Sequence, residues 1–94
     1  MPKLIVFVKK DCPQCPLARQ IAKEVAKELG LEYKEIDIER NMITALMYNV
    51  ISTPSIAFDE EVLFRGEVPD KRELVKTIKR IMGKIKRMGR IWDR

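Results

Sequence analysis

The chain has no histidine, one tryptophan, two cysteines, four glycines and five prolines among its 94 residues. Each shortage closes an option. Structural zinc is held by four Cys or His ligands, so without histidine or a third cysteine a closed site would need carboxylates or a second subunit. Few Gly and Pro, with 46% hydrophobic and 35% charged residues, give the composition of a folded globular chain and not a disordered one. The longest apolar run near the start, Leu4 to Val8, is far shorter than a spanning helix or the hydrophobic part of a secretion signal, so a cytoplasmic location is expected. Amides are scarce (Asn41, Asn49, Gln14, Gln20) beside abundant Lys, Arg and Glu, a bias of heat-adapted proteins that says nothing about function. The length suits one compact domain, with no internal repeat.

The net charge of +5 conceals an asymmetry. Residues 1–70 carry nine Lys or Arg against twelve Asp or Glu, whereas residues 71–94 carry ten against two. Any attraction to an anionic partner must therefore rest on the last quarter of the chain.

Residues 3–8, KLIVFV, form a β-branched and aromatic run that reads as a strand buried on both faces. Leu17, Ile21, Ala22, Val25, Ala26 and Leu29 then recur at helical spacing, with Gly30 as the C-cap. Alternation from Leu31 to Ile38 predicts a strand with one covered face. Asn41 is placed to cap a short helix carrying Met42, Ile43, Leu46 and Met47 and ending near Asn49. SIAF and VLF, separated by Asp59, Glu60 and Glu61, predict a hairpin. Asp70 caps a final helix with the stripe Leu74, Val75, Ile78, Ile81 and Met82. The order β-α-β-α-β-β-α, with a right-handed crossover joining the first two strands, predicts an α/β sandwich. Its mixed four-stranded sheet carries helices on both faces.

Cys12 and Cys15 fall where the first strand gives way to the first helix, in KKDCPQCPLA. Residues three apart on a helical turn lie on one face with Cβ atoms roughly 5–6 Å apart, within reach of a disulfide. As a staple such a bond would contribute little, because closing so short a loop scarcely restricts the unfolded chain. Zinc and inert buried thiols are the remaining rivals, and a redox dithiol is the preferred reading for this spacing beside a βαβ pattern. The unpaired N–H groups and positive dipole end of a helix N-terminus favour a thiolate, and Lys9 and Lys10 add positive potential that Asp11 partly opposes. Cys12, at the loop edge, is the expected attacking sulfur. Cys15, one turn into the helix, is the expected shielded resolving sulfur. Pro16 disfavours helical geometry at Cys15, so the helix is expected to start between residues 13 and 16.

With CPQC at 12–15, NVISTPSIAF at 49–58 and LFRGE at 63–67, the chain resembles the thioredoxin superfamily, in particular its small glutaredoxin-like members. The resemblance frames residues 3 to about 82 and implies a minimal thioredoxin fold over residues 1–82. It implies a redox-active Cys12–Cys15 disulfide in place of any cofactor or metal, and a monomer serving disulfide-containing proteins and an upstream reductase. It further implies that Pro54 is a cis-proline facing the cysteines, that the backbone of Thr53 pairs with an extended substrate, and that Gly66 lets substrate approach, with Lys9, Pro13 and Gln14 completing the binding surface. The chain departs from the family in three places. Val6 occupies the position of thioredoxin's buried aspartate, Asp11 that of its tryptophan, and Gly66-Glu67 that of the glutaredoxin paired glycines. Lys9 matches a lysine that binds a glutathione carboxylate. The expected activity is reduction of protein disulfides by dithiol exchange; the alternatives are glutathione-dependent reduction, or binding of nucleic acid or an anionic surface through the basic C-terminal segment.

Residues 83–94, GKIKRMGRIWDR, form a basic C-terminal extension and tail. Ile85 and Met88 continue the stripe of the last helix, so helix is expected across Gly83 at a cost of about 1 kcal/mol, stopping at Gly89. Ile85, Met88 and Trp92 are expected to fold back on the domain, leaving the basic residues from Lys79 to Arg90 as a solvated surface.

Overall fold

A computed structural model describes the backbone of residues 2–92 and the side chains of residues 2–83. Its elements follow the predicted order: β1 (Lys3–Val8), α1 (Cys15–Leu29), β2 (Glu32–Asp37), α2 (Met42–Met47), β3 (Ser55–Phe58), β4 (Glu61–Arg65) and α3 (Lys71–Trp92). The strands form one sheet in the order β2-β1-β3-β4. β1 runs parallel to β2 and antiparallel to β3, and β3 is antiparallel to β4.

Because β1 is central, its period-2 side chains supply two cores. Leu4, Val6 and Val8 pack with Ala18, Ala22 and Val25 of α1 and Leu74 and Ile78 of α3 on one face. Ile5 and Phe7 pack with Ile36, Val50 and Ala57 on the other. α1 stops where Gly30 turns left-handed (φ 67°) and sends its N–H back to the Ala26 carbonyl. Lys71 at the start of α3 reaches Glu28 of α1 at 2.6 Å, tying the two helices at the surface.

Several local expectations are corrected. The apolar residues of β2 and of the positions flanking it do not share one face: Leu31 and Tyr33 join the α1 side and Ile36 and Ile38 the opposite side. Their parity changes between residues 33 and 36, and with a core on each side of the sheet both sets find cover. Asn41 precedes α2 but makes no capping bond; its Nδ2 donates to the Asp37 carbonyl at 3.2 Å. Glu61 belongs to β4, pairing with Phe58, so the hairpin turns on Asp59 and Glu60 alone. Asp59 adopts φ 52°, and its side chain and amide both bond the backbone of Lys3. A register shift leaves Leu63 unpaired as a bulge. Asp70 caps α3 as predicted, accepting from the Arg72 N–H at 3.1 Å. α3 passes through both Gly83 and Gly89 to Trp92, since one interior glycine weakens a helix without breaking it. The predicted fold-back of Ile85, Met88 and Trp92 and the basic surface from Lys84 onward concern side chains outside the described residues.

Candidate active site

β1 delivers the chain to a loop, residues 9–14, in which Asp11 takes a left-handed conformation (φ 62°). An L-residue tolerates this region mainly when it is Asn or Asp, so Asp11 serves the turn at the position where the resembling family has tryptophan. α1 begins at Cys15 itself, with Gln14 at the N-cap position and Pro16 in the first turn, where its missing N–H costs no hydrogen bond. Cys15 is thus the first helical residue and not one turn in. Its N–H donates to the Cys12 carbonyl at 3.3 Å, closing a tight turn around the pair.

The two cysteines are joined by a disulfide, with Cα atoms 5.4 Å apart. Their exposure is unequal. Cys15 is 2% exposed and belongs to the core beneath α1, whereas Cys12 is half-buried and packs at that core's edge. An open depression of 540 Å³ surrounds them, lined by residues 9–13, Cys15, Pro16 and Arg19. Lys9 and Pro13 therefore border the cysteines. Gln14 is exposed but outside this depression, and its carbonyl accepts from the Ala18 N–H at 3.1 Å.

The Thr53–Pro54 bond is cis, as the resemblance implies, and Pro54 is fully buried. Ser55 pairs with both Phe7 and Arg65, so the end of β1, the start of β3 and the end of β4 lie at one end of the sheet. That end is where the cysteine loop leaves β1. Gly66 follows β4 with φ 70°, and a Cβ there would stand 2.9 Å from Ser52 Oγ, two reasons that only glycine suits the position. Ser55 and Ser52, which the sequence reading did not single out, hold this arrangement. Ser55 Oγ donates to the Ser52 carbonyl at 2.7 Å and accepts from the Gly66 N–H at 3.3 Å. Ser55 is fully buried, and a polar residue opening an apolar strand is the signal that marks it.

Arg19, one helical turn beyond Cys15, is a second addition. It forms an ion pair with Glu35 of β2, the residue in register with Val6. Beside them the Tyr33 hydroxyl is held well above the ordinary phenol range, first by burial and then by the negative charge of Glu35. The folded protein thus keeps a proton that the unfolded chain releases near pH 10, so stability is full below that pH and falls as pH rises above it. The loss is at most about 1.4 kcal/mol per pH unit, reduced by the solvent reaching a partly exposed site. Tyr33→Phe should flatten the decline between pH 10 and 11.5 in urea titrations; an unchanged slope would assign alkaline unfolding to other groups.

A disulfide-forming pair at a strand–helix junction, one sulfur accessible and one in the core, on a four-stranded sheet flanked by helices, defines a small thiol–disulfide oxidoreductase. A thioredoxin domain family model matches residues 3–79. A thioredoxin of Methanocaldococcus jannaschii is 34% identical over 80 residues, covering 83% of this chain and 93% of that protein. A probable thioredoxin of Methanothermobacter marburgensis is 35% identical over 78 residues, covering 81% and 91%. Among solved structures, thioredoxin 1 of Thermosipho africanus superposes with a TM-score of 0.72 at 20% identity, covering 89% of this chain and 98% of its own. The chain belongs to the thioredoxin superfamily. Among the described residues no helix is long and apolar enough to cross a membrane.

Proposed function

We propose that this protein reduces disulfides of other proteins in the cytoplasm by dithiol exchange through Cys12 and Cys15. The unequal burial of the two sulfurs carries the reading. The Cys12 thiolate attacks one sulfur of a substrate disulfide, forming a mixed disulfide and expelling the other substrate sulfur as a thiolate. Cys15 then attacks Cys12, releasing the second substrate thiol and leaving the Cys12–Cys15 disulfide. An upstream dithiol reductant returns the two electrons, with no further cofactor or metal. Lys9 and Pro13 border the attacked disulfide, Gln14 lies at the rim, and Thr53, Pro54 and Gly66 at the same sheet end offer backbone to an extended substrate. A lone Gly66 followed by the charged Glu67, in place of the glutaredoxin paired glycines, favours a dithiol over glutathione as the reductant that returns the electrons.

Alkylation of the reduced protein by iodoacetamide across pH 5 to 9 tests the assignment. Cys12 should label first, with its rate reaching half-maximum below the value of about 8.5 expected of a free thiol. Preferential labelling of Cys15, or a midpoint at the free-thiol value, would overturn it.

A further inference from the structure

Helix α3 does not end with the domain it closes. Leu74 and Ile78 are buried with α1 and β1, Ile81 and Met82 pack against the same core, and the helix then continues unbroken to Trp92. At about 1.5 Å per residue its 22 residues measure about 33 Å, whereas the longest strands, six residues each, span about 20 Å. The last turns therefore run past the sheet, and the molecule is 49 Å long against 28 and 18 Å in its other dimensions. The match to the family stops at residue 79, so the shared domain does not account for these turns. The expected fold-back onto the core would need a reversal of the chain, and α3 holds none.

The composition of this segment is one-sided. Residues 74–92 contain seven Lys or Arg and no Asp or Glu. At about 100° per residue, positions 81, 85, 88 and 92, which are Ile, Ile, Met and Trp, fall on the stripe that begins with Leu74 and Ile78. Positions 79, 80, 84, 86, 87 and 90, all Lys or Arg, fall on the rest of the circumference. A partner must therefore accept cations and apolar groups side by side. A nucleic acid would meet the cations and leave the stripe in water. A second copy paired stripe to stripe would bring two segments of seven positive charges together. An anionic bilayer meets both needs, its phosphates at the Lys and Arg and its acyl boundary at the Ile, Met and Trp. We propose that residues 79–92 form an amphipathic anchor that lies in the headgroup layer of an anionic membrane and holds the redox domain at its surface. The stripe shares the side of α3 that faces the core, so the segment reaches a bilayer by bending away from the sheet. Gly83, the first position past Met82, is where the helix bends most readily. Anchoring does not depend on which disulfides Cys12 and Cys15 reduce.

Trp92 is the only tryptophan in the chain, so its fluorescence reports this segment alone. Vesicles of phosphatidylglycerol and phosphatidylcholine in equal parts should shift the emission of the full chain to shorter wavelength and carry the protein into the pellet on sedimentation. Vesicles of phosphatidylcholine alone should do neither. Raising the salt from about 0.1 M to about 1 M, which shortens the screening length from about 10 Å to about 3 Å, should release the bound protein. Each cation at an anionic surface contributes roughly fivefold to partitioning, so Lys84→Gln with Lys86→Gln and Arg87→Gln should weaken binding by roughly a hundredfold. Ile85→Ser with Met88→Ser should leave the emission unshifted by vesicles, while Ile85→Leu with Met88→Leu should keep both the shift and the pelleting. Emission already at short wavelength in the free protein and unmoved by vesicles would place the stripe under the chain's own domain or a second copy, and would overturn the proposal. Salt-sensitive binding to a DNA duplex of random sequence, with no shift on vesicles, would assign the segment to nucleic acid and overturn it as well.

Discussion

Replacing Cys15 with serine should stop turnover and leave Cys12 covalently joined to its substrate. Release of the mixed disulfide depends on an attacking sulfur already held beside Cys12, on a pair whose Cα atoms are 5.4 Å apart. Reacting groups fixed in one molecule behave as though present at roughly 10⁵ M or more when well oriented, far beyond any free thiol in solution. Losing that advantage should lower multiple-turnover reduction by on the order of a thousandfold or more. The first step should survive, because Cys12 is the accessible sulfur and Cys15 sits in the core. Mass spectrometry of Cys15→Ser after exposure to a disulfide-containing protein should show the adduct on Cys12. Rapid turnover without an adduct would show that an external thiol, such as glutathione, resolves the intermediate and would exclude the two-cysteine mechanism.

Phe7→Ala should be the most damaging apolar truncation in the chain. Phe7 is completely buried near the C-terminal end of β1, with Ile36, Val50 and Ala57 around it and the Tyr48 ring tilted against it, ring centroids 5.1 Å apart. Removing a buried phenylalanine ring costs about 3–5 kcal/mol through lost transfer energy and the cavity left behind. A domain of this size has about 5–15 kcal/mol in total, so the variant should melt at least roughly 12 °C lower. The same strand ends at the cysteine loop, so activity should be lost at temperatures where wild type still works. Urea unfolding gives the stability directly. A cost below about 1 kcal/mol would mean that α2 collapses onto the sheet and refills the space.

The elements themselves were legible because each is written in a local period. KLIVFV has no polar face to show solvent, and the structure puts it between two others with a core on each side. The i, i+3, i+4 stripe ending at Gly30 became α1, with Gly30 in the left-handed region. The cysteines, three residues apart at a strand–helix junction, could be read as a redox pair because their mutual distance is fixed by four residues of chain. The cis bond at Pro54 came from the resemblance; no local preference selects it, since only about 5–6% of X-Pro bonds in folded proteins are cis.

What local pattern could not decide is which surface covers which. The alternation of β2 predicts an amphipathic strand, but whether one or both of its faces is covered depends on helices elsewhere in the chain, and here both are. Ser55 becomes part of the site only through pairing with Phe7 and Arg65, positions 48 and ten residues away. Arg19 gains its partner Glu35 because β2 lies beside β1 in parallel register. The stripe of α2 is the clearest case. Its spacing specifies a helix with one apolar side, and a spacing of that kind is the same whether the side faces a core or the solvent. The order of elements, the two-faced central strand and the cysteine pair were all readable residue by residue, since these follow from interactions within a few residues. That Ala45 faces inward while Met42, Ile43, Leu46 and Met47 face out, and that the cysteine loop, Pro54 and Gly66 share one end of the sheet, were settled by packing for the helix and by strand register for the site, both of which join distant segments.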